Sequence, residues 1–196
     1  MKSKFTLLVS ALTLALAYSG SALAHPGHAE GAMAGLMHPL TGIDHILAML
    51  AVGLWGAQLG GRAQWLLPSS FVAFLAGGAA LGMSGPALPM AQAGIVTSVL
   101  LLGLAIGFAF KLHTSAAALA VGVFALFHGY AHGVEMPAMD GGVSSAWLFG
   151  MGFVGASAAL HAAGLWLGRS ALAHGRWLRG GGAAISLAGV WLGLAA

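Results

Sequence analysis

No cysteine occurs in the 196 residues. That excludes a disulfide, a thiolate metal ligand and a thiol nucleophile together. Charge is nearly as scarce: seven basic and four acidic side chains make up 6% of the chain. So few charges cannot form the basic stripe of a nucleic-acid-binding protein, and an ordinary soluble domain carries far more of them. The P-loop pattern, GxxxxGK followed by Ser or Thr, is missing too, so no recognisable ATPase engine is present. What remains is apolar. Hydrophobic residues are 59% of the chain and the mean hydropathy is +0.93, with runs long enough to cross a bilayer. This is the composition of a small, multi-pass, all-α membrane protein. Its 32 glycines suit close helix approach through faces such as Gly103-x-x-x-Gly107.

In chain order, residues 1–24 have the pattern of a cleaved secretory signal peptide. Lys2 and Lys4 form the basic start, Phe5 to Tyr18 the apolar run, and Ala22-Leu23-Ala24 the small-residue cleavage site. Residues 25–35 then form a short periplasmic arm in which His25, His28 and Glu30 lie close together. That arm is either a weak metal-gathering segment or a polar terminus without that role. Residues 36–196 read as one membrane domain of six spans, at about 36–57, 65–83, 91–110, 115–133, 144–167 and 178–195. Arg62, Lys111, Arg169, Arg176 and Arg179 all follow odd-numbered spans, whereas Glu30, Glu135 and Asp140 fall on the other side. The positive-inside rule therefore makes the odd connections cytoplasmic and both termini periplasmic, in a bacterial inner membrane. A cleaved signal leads to the same orientation.

Two stretches break the apolar pattern. The first is His38-Pro39-Leu40-Thr41-Gly42-Ile43-Asp44-His45, continuing to Met49 in span one. The second is Phe127-His128-Gly129-Tyr130-Ala131-His132-Gly133-Val134-Glu135 at the end of span four. Ionisable groups inside a membrane are expensive and are kept for a partner, a cavity or an ion. The deduced orientation puts both stretches at similar depth toward the periplasmic face. On an ideal helix His38 and His45 share a stripe about 10 Å apart, although Pro39 also suits a first helical position that leaves His38 capping the entrance. Asp44 and His45 diverge by about 100°, so one can face an ion while the other orients it. Met49, one turn below His45, is a soft ligand or a packing residue. His128 and His132 stand at the chelating i, i+4 spacing, and Glu135 extends their stripe at i+7. Lying near a helix end, they meet the negative end of its dipole. Imidazole and carboxylate suit borderline divalent ions such as nickel, cobalt or zinc. Methionines toward the outer side, among them Met33, Met37, Met83, Met90, Met136 and Met139, keep copper as a minor alternative. His161 in span five, and His113 and His174 in connections, read instead as hydrogen-bonded packing or loop residues. Gln92 is the strongly polar long side chain of span three, able at most to support the site.

The two stretches resemble the signatures of the HupE/UreJ family of nickel/cobalt permeases. The pattern HPxxGxDHxxxMxxVG is matched from His38, Pro39, Gly42, Asp44, His45 and Met49 to Val52 and Gly53. The pattern FHGxAHGxE is matched at Phe127, His128, Gly129, Ala131, His132, Gly133 and Glu135. The resemblance extends along the whole chain and implies secondary import of nickel or cobalt as substrate, with no prosthetic group. It also implies an indirect link to the maturation of nickel enzymes such as hydrogenase or urease. A homo-oligomer is left open. Two other classes compete. An intramembrane hydrolase could use Ser157 and His161, one helical turn apart in Gly155-Ala156-Ser157-Ala158, or a zinc held by His128 and His132. A membrane metal-binding accessory protein would bind without transporting.

Overall fold

The computed structural model describes residues 31–135, 142–171 and 175–195. These residues form helices and turns, with no strand among them. The signal-like segment, His25, His28, Glu30, Met136, Met139, Asp140 and His174 lie outside the described residues. In order the helices are α1 (Ala32–Met37), a single 3-10 turn (His38–Leu40), α2 (Ile43–Leu59), α3 (Ala63–Met83), α4 (Ala91–Gly107), α5 (Thr114–Glu135), α6 (Gly142–Ala171) and α7 (Gly175–Ala195). A helix stands at each position expected from the apolar runs. Four of them, α3, α5, α6 and α7, are each long and apolar enough to span a membrane. The α1–α2 pair qualifies as a fifth span if its two halves are taken together, and α4 is a shorter apolar helix of 17 residues.

The first expected span is therefore not one straight helix. It breaks at Thr41 and Gly42, and its halves meet at 83°. Pro39 opens the 3-10 turn, where a missing N–H is harmless. The Thr41 hydroxyl and N–H both donate to the His38 carbonyl, at 2.7 and 3.1 Å. Gly42, in extended conformation, then caps α2. The third expected span is also shorter than its apolar run. It ends at Gly107, and the Phe110 N–H turns back to the Ala105 carbonyl at 2.9 Å.

Glycine sets the helix pairing. On α3, Gly78 and Gly82 press against the Leu126 and Tyr130 carbonyls of α5. In return Gly129 and Gly133 of α5 press against the Leu75 and Ala79 carbonyls. A Cβ at any of these four would lie 2.0–2.4 Å from a carbonyl oxygen, so only glycine lets the two backbones meet. Gly53 and Gly164 join α2 to α6 in the same way, Gly35 and Gly152 join α1 to α6, and Gly103 and Gly182 join α4 to α7. The paired helices surround a core in which Met49, Val52, Trp55, Leu67, Phe71, Val99, Leu102 and Ile106 are all buried. Trp65, Phe74, Leu119, Trp147, Trp166, Leu187 and Trp191 face outward and exposed. An apolar outside around an apolar inside is the pattern of a multi-pass membrane protein.

The basic connections gather at one end of this bundle. Arg169, at the end of α6, donates to the Gln64 side chain at the start of α3. Arg179 Nε donates to the Gly107 carbonyl at 2.9 Å, and the Trp55 indole to the Phe110 carbonyl at 3.2 Å. The histidine stretches are at the opposite end of α2 and α5.

Candidate metal centre

The break at Thr41–Gly42 turns the first stretch onto the second. His38 sits at the end of α1, and its Nε2 shares a 2.8 Å hydrogen bond with Nδ1 of His132 on α5. With the helix broken, the straight seven-residue stripe linking His38 to His45 does not exist, and His38 takes the freer position at the entrance. His45 lies within 4.4 Å of the His132 ring and 4.7 Å of the His128 ring, centroid to centroid. Four imidazoles from three segments thus form one cluster. Phe149 and Phe153 of α6 wall its outer side, Phe153 edge-on to His132 at 4.6 Å. Sequence reading missed both phenylalanines, because aromatics in an apolar span carry no distinguishing signal.

Asp44 and His45 do not diverge. Asp44 occupies the first turn of α2, where the helix dipole favours a carboxylate. Its Oδ1 accepts from the His45 backbone N–H at 2.9 Å and from His45 Nδ1–H at 2.8 Å. Gly42 makes room for this folded pair: a Cβ there would lie 2.8 Å from both Asp44 Oδ1 and His45 Nδ1. With Nδ1 committed to the carboxylate, the bare nitrogen of a neutral His45 is Nε2.

A second such arrangement comes from a residue the sequence did not flag. Ser98 of α4 is wholly buried and lies 2.8 Å from His128 Nε2. A hydroxyl has one proton, and Ser98 donates it to the Ile95 carbonyl at 2.6 Å. The serine oxygen therefore accepts from His128 Nε2–H, and the bare nitrogen of His128 is Nδ1. A serine is ordinary in a membrane span, and only the fold sets this one against His128. Gln92, the polar residue singled out in that span, is exposed and takes no part in the cluster.

Three ring nitrogens of the cluster are buried without a hydrogen-bond partner: His45 Nε2, His128 Nδ1 and His132 Nε2. Each such orphan costs about 1–3 kcal/mol, so leaving three in one place calls for a reason. Among the described residues, no three His, Asp or Glu side chains are set as a ready coordination shell. The rings are instead held by hydrogen bonds to Asp44, to Ser98 and between His38 and His132. Met49 is buried one turn inward of His45. The backbone of Glu135 closes α5, and its side chain lies outside what is described. Met33, Met37, Met83 and Met90 are exposed and so do not line the cluster. Exposed His113 bonds Ser115 at 2.8 Å.

Ser157 and His161, the pair of the competing serine-hydrolase reading, do not bond to each other. Ser157 donates to the Phe153 carbonyl at 2.8 Å rather than to His161. His161, expected from sequence to be a hydrogen-bonded packing residue, has only the Ser157 backbone carbonyl as polar neighbour, and neither ring nitrogen makes a well-formed hydrogen bond.

The family model described as "HupE / UreJ protein" matches residues 12–192. The chain belongs to the HupE/UreJ family. It is 48% identical over 166 residues to Protein HupE of Rhizobium leguminosarum bv. viciae, covering 84% of this chain and 83% of that protein. The residues matched by the family model, 12–192, include both histidine stretches, Ser98 and all the described helices except the last three residues of α7. No solved structure matches the chain.

Proposed function

We propose that this HupE/UreJ protein is an ATP-independent importer of a divalent transition-metal ion, nickel or cobalt, in the bacterial inner membrane. In this reading the chain crosses the membrane six times after loss of its signal peptide, with both termini periplasmic and the arginine-bearing end cytoplasmic. The ion is substrate, and no prosthetic group is needed. His38, Asp44, His45, His128, His132 and Glu135 take it up at the periplasmic side, with Met49 beneath them and His25 and His28 gathering it weakly. Delivery toward nickel enzymes such as hydrogenase or urease belongs to the same reading.

The observation that carries the proposal is the set of three orphaned imidazole nitrogens at one end of an apolar bundle. Two of them belong to rings whose other nitrogen is tied to a carrier, Asp44 for His45 and Ser98 for His128. A metal-binding histidine needs this arrangement, because the carrier fixes the tautomer and leaves a lone pair for the ion. The ion exchanges water for these nitrogens stepwise, while the Asp44 carboxylate and the negative end of α5 offset its charge. An interior-negative potential then drives a divalent cation inward by about 4.6 kcal/mol per 100 mV, at about 2.3 per charge. The test is radioactive nickel uptake by cells expressing wild type, His45→Ala or His132→Ala, with cobalt, zinc and copper as competitors and membrane levels matched. Uptake by wild type and its loss in both variants is the expected result. No uptake, or unaffected variants, would remove the proposal.

A further inference from the structure

Transport needs more than a mouth, and the bundle holds one more buried imidazole. His161 of α6 is 2% exposed, and neither of its ring nitrogens makes a well-formed hydrogen bond. The Ser157 backbone carbonyl one turn back is its one polar neighbour, a hydrogen bond of poor geometry that engages one ring nitrogen at most and leaves the other bare. Phenylalanine or leucine would fill the same space without the penalty of a bare buried nitrogen.

Its place in the fold is specific. His161 follows Phe153, which borders the outer cluster, by eight residues, about 12 Å along the helix at 1.5 Å per residue. Its backbone carbonyl touches Gly53 of α2, where a Cβ would lie 2.3 Å away. Gly53 is in turn eight residues inward of His45 and ends the first histidine motif. Both helices therefore put His161 at the same depth, about two turns inside the outer cluster. One side chain separates it from that cluster. Phe71 of α3 is fully buried, with its ring 5.9 Å from His128 and 5.0 Å from His161. Further inward on α2, Gln58 holds a buried Oε1 without a partner while its Nε2 donates to the Ile106 carbonyl at 3.1 Å. Orphaned ligand atoms thus continue from the outer cluster toward the arginine-bearing end.

We infer that His161 is a second, inner station for the transported divalent cation, which it receives from His128 past the ring of Phe71. The inference rests on the importer reading above. With two stations the ion trades one imidazole for another and never sits unliganded in the apolar core, and each station can hold it loosely enough to let it go.

The experiment uses purified full-length protein, with radioactive nickel binding at equilibrium and nickel entry into proteoliposomes measured on the same preparations. The variants are His161→Ala, His161→Phe, which keeps a ring but no nitrogen, and His45→Ala. Both His161 variants are expected to bind nickel at the outer cluster within twofold of wild type and to transport it at least tenfold more slowly. His45→Ala is expected to lose binding and entry together. If His161→Phe transports within twofold of wild type, His161 only fills space and the station is overturned, with the importer reading intact. If both His161 variants lose nickel binding, the residue belongs to the assembly of the outer cluster and the two-station account is also overturned. If wild type itself neither binds nor transports nickel, the importer reading falls and takes the station with it.

Discussion

Replacing Ser98 by alanine separates metal affinity from fold. The hydroxyl touches no ion in this account. Its oxygen accepts from His128 Nε2–H at 2.8 Å while its proton is held by the Ile95 carbonyl at 2.6 Å. Without it, the His128 N–H is orphaned in a site with no exposure, and the ring is free to move its proton to Nδ1, the nitrogen needed for the ion. Loss of a metal ligand's carrier typically lowers affinity 10–100-fold, or about 1.4 to 2.8 kcal/mol. The orphaned N–H costs about 1–3 kcal/mol, which lowers stability without removing the helix packing that holds the fold. The assay is the nickel concentration dependence of initial uptake. Half-saturation is expected to rise 10–100-fold, with a wild-type membrane level and a modestly lower melting temperature. Ser186→Ala is the control. Ser186 is another buried serine, which donates to the Leu100 carbonyl at 3.2 Å away from any histidine, and its loss is expected to leave half-saturation unchanged. Half-saturation within twofold of wild type in Ser98→Ala would refute the tautomer argument.

Asp44→Asn removes the charge that holds His45 Nδ1–H, and a 10–100-fold loss of apparent nickel affinity is expected in the same uptake assay. Gly42→Ala pushes a methyl group onto the Asp44–His45 pair, so uptake should fall while the detergent-purified protein remains monodisperse by size exclusion. Gly129→Ala puts a Cβ 2.0 Å from the Leu75 carbonyl and should destabilise by at least about 1–3 kcal/mol, seen as a lower melting temperature. Gly77→Ala meets nothing within 4 Å and should be neutral or stabilising by up to about 1 kcal/mol. Because the chain has no cysteine, single replacements report topology cleanly. Arg62→Cys and Lys111→Cys should react with an impermeant maleimide only in opened cells, and Ser84→Cys in intact ones.

The sequence was most informative where chemistry is costly. Ionisable side chains in apolar runs marked His38, Asp44, His45, His128 and His132 without any structure, because nothing in a bilayer keeps such groups by default. The charge asymmetry of Arg62, Lys111 and Arg169 to Arg179 likewise put both stretches at one depth, and the fold brings those histidines within ring contact. The break after His38 was harder to see. Pro39 and Gly42 are both tolerated in membrane helices, and only the hydrogen bonds of Thr41 to His38 show that the chain turns there. Gly103-x-x-x-Gly107 stood out as a packing face and does meet Gly182 of α7, but the still closer approaches at Gly35/Gly152 and at Gly78/Gly82 against Gly129/Gly133 did not stand out. In a chain this rich in glycine, spacing does not say which glycines meet. Ser98, Phe71, Phe149 and Phe153 were invisible for a related reason: each is an ordinary residue for a membrane span, and its role depends on the helix opposite. His161 read as a packing residue because a lone intramembrane histidine usually finds a full hydrogen bond, and only the packing shows that no side chain supplies one here.

The central claim is that the bare nitrogens of His45 and His128 bind the ion. Its most direct test is equilibrium binding of radioactive nickel to the purified wild type, His45→Ala and His128→Ala, each checked for a wild-type size-exclusion profile. The account predicts saturable binding to wild type and its loss in both variants. Saturable binding that persists undiminished in either variant would contradict it.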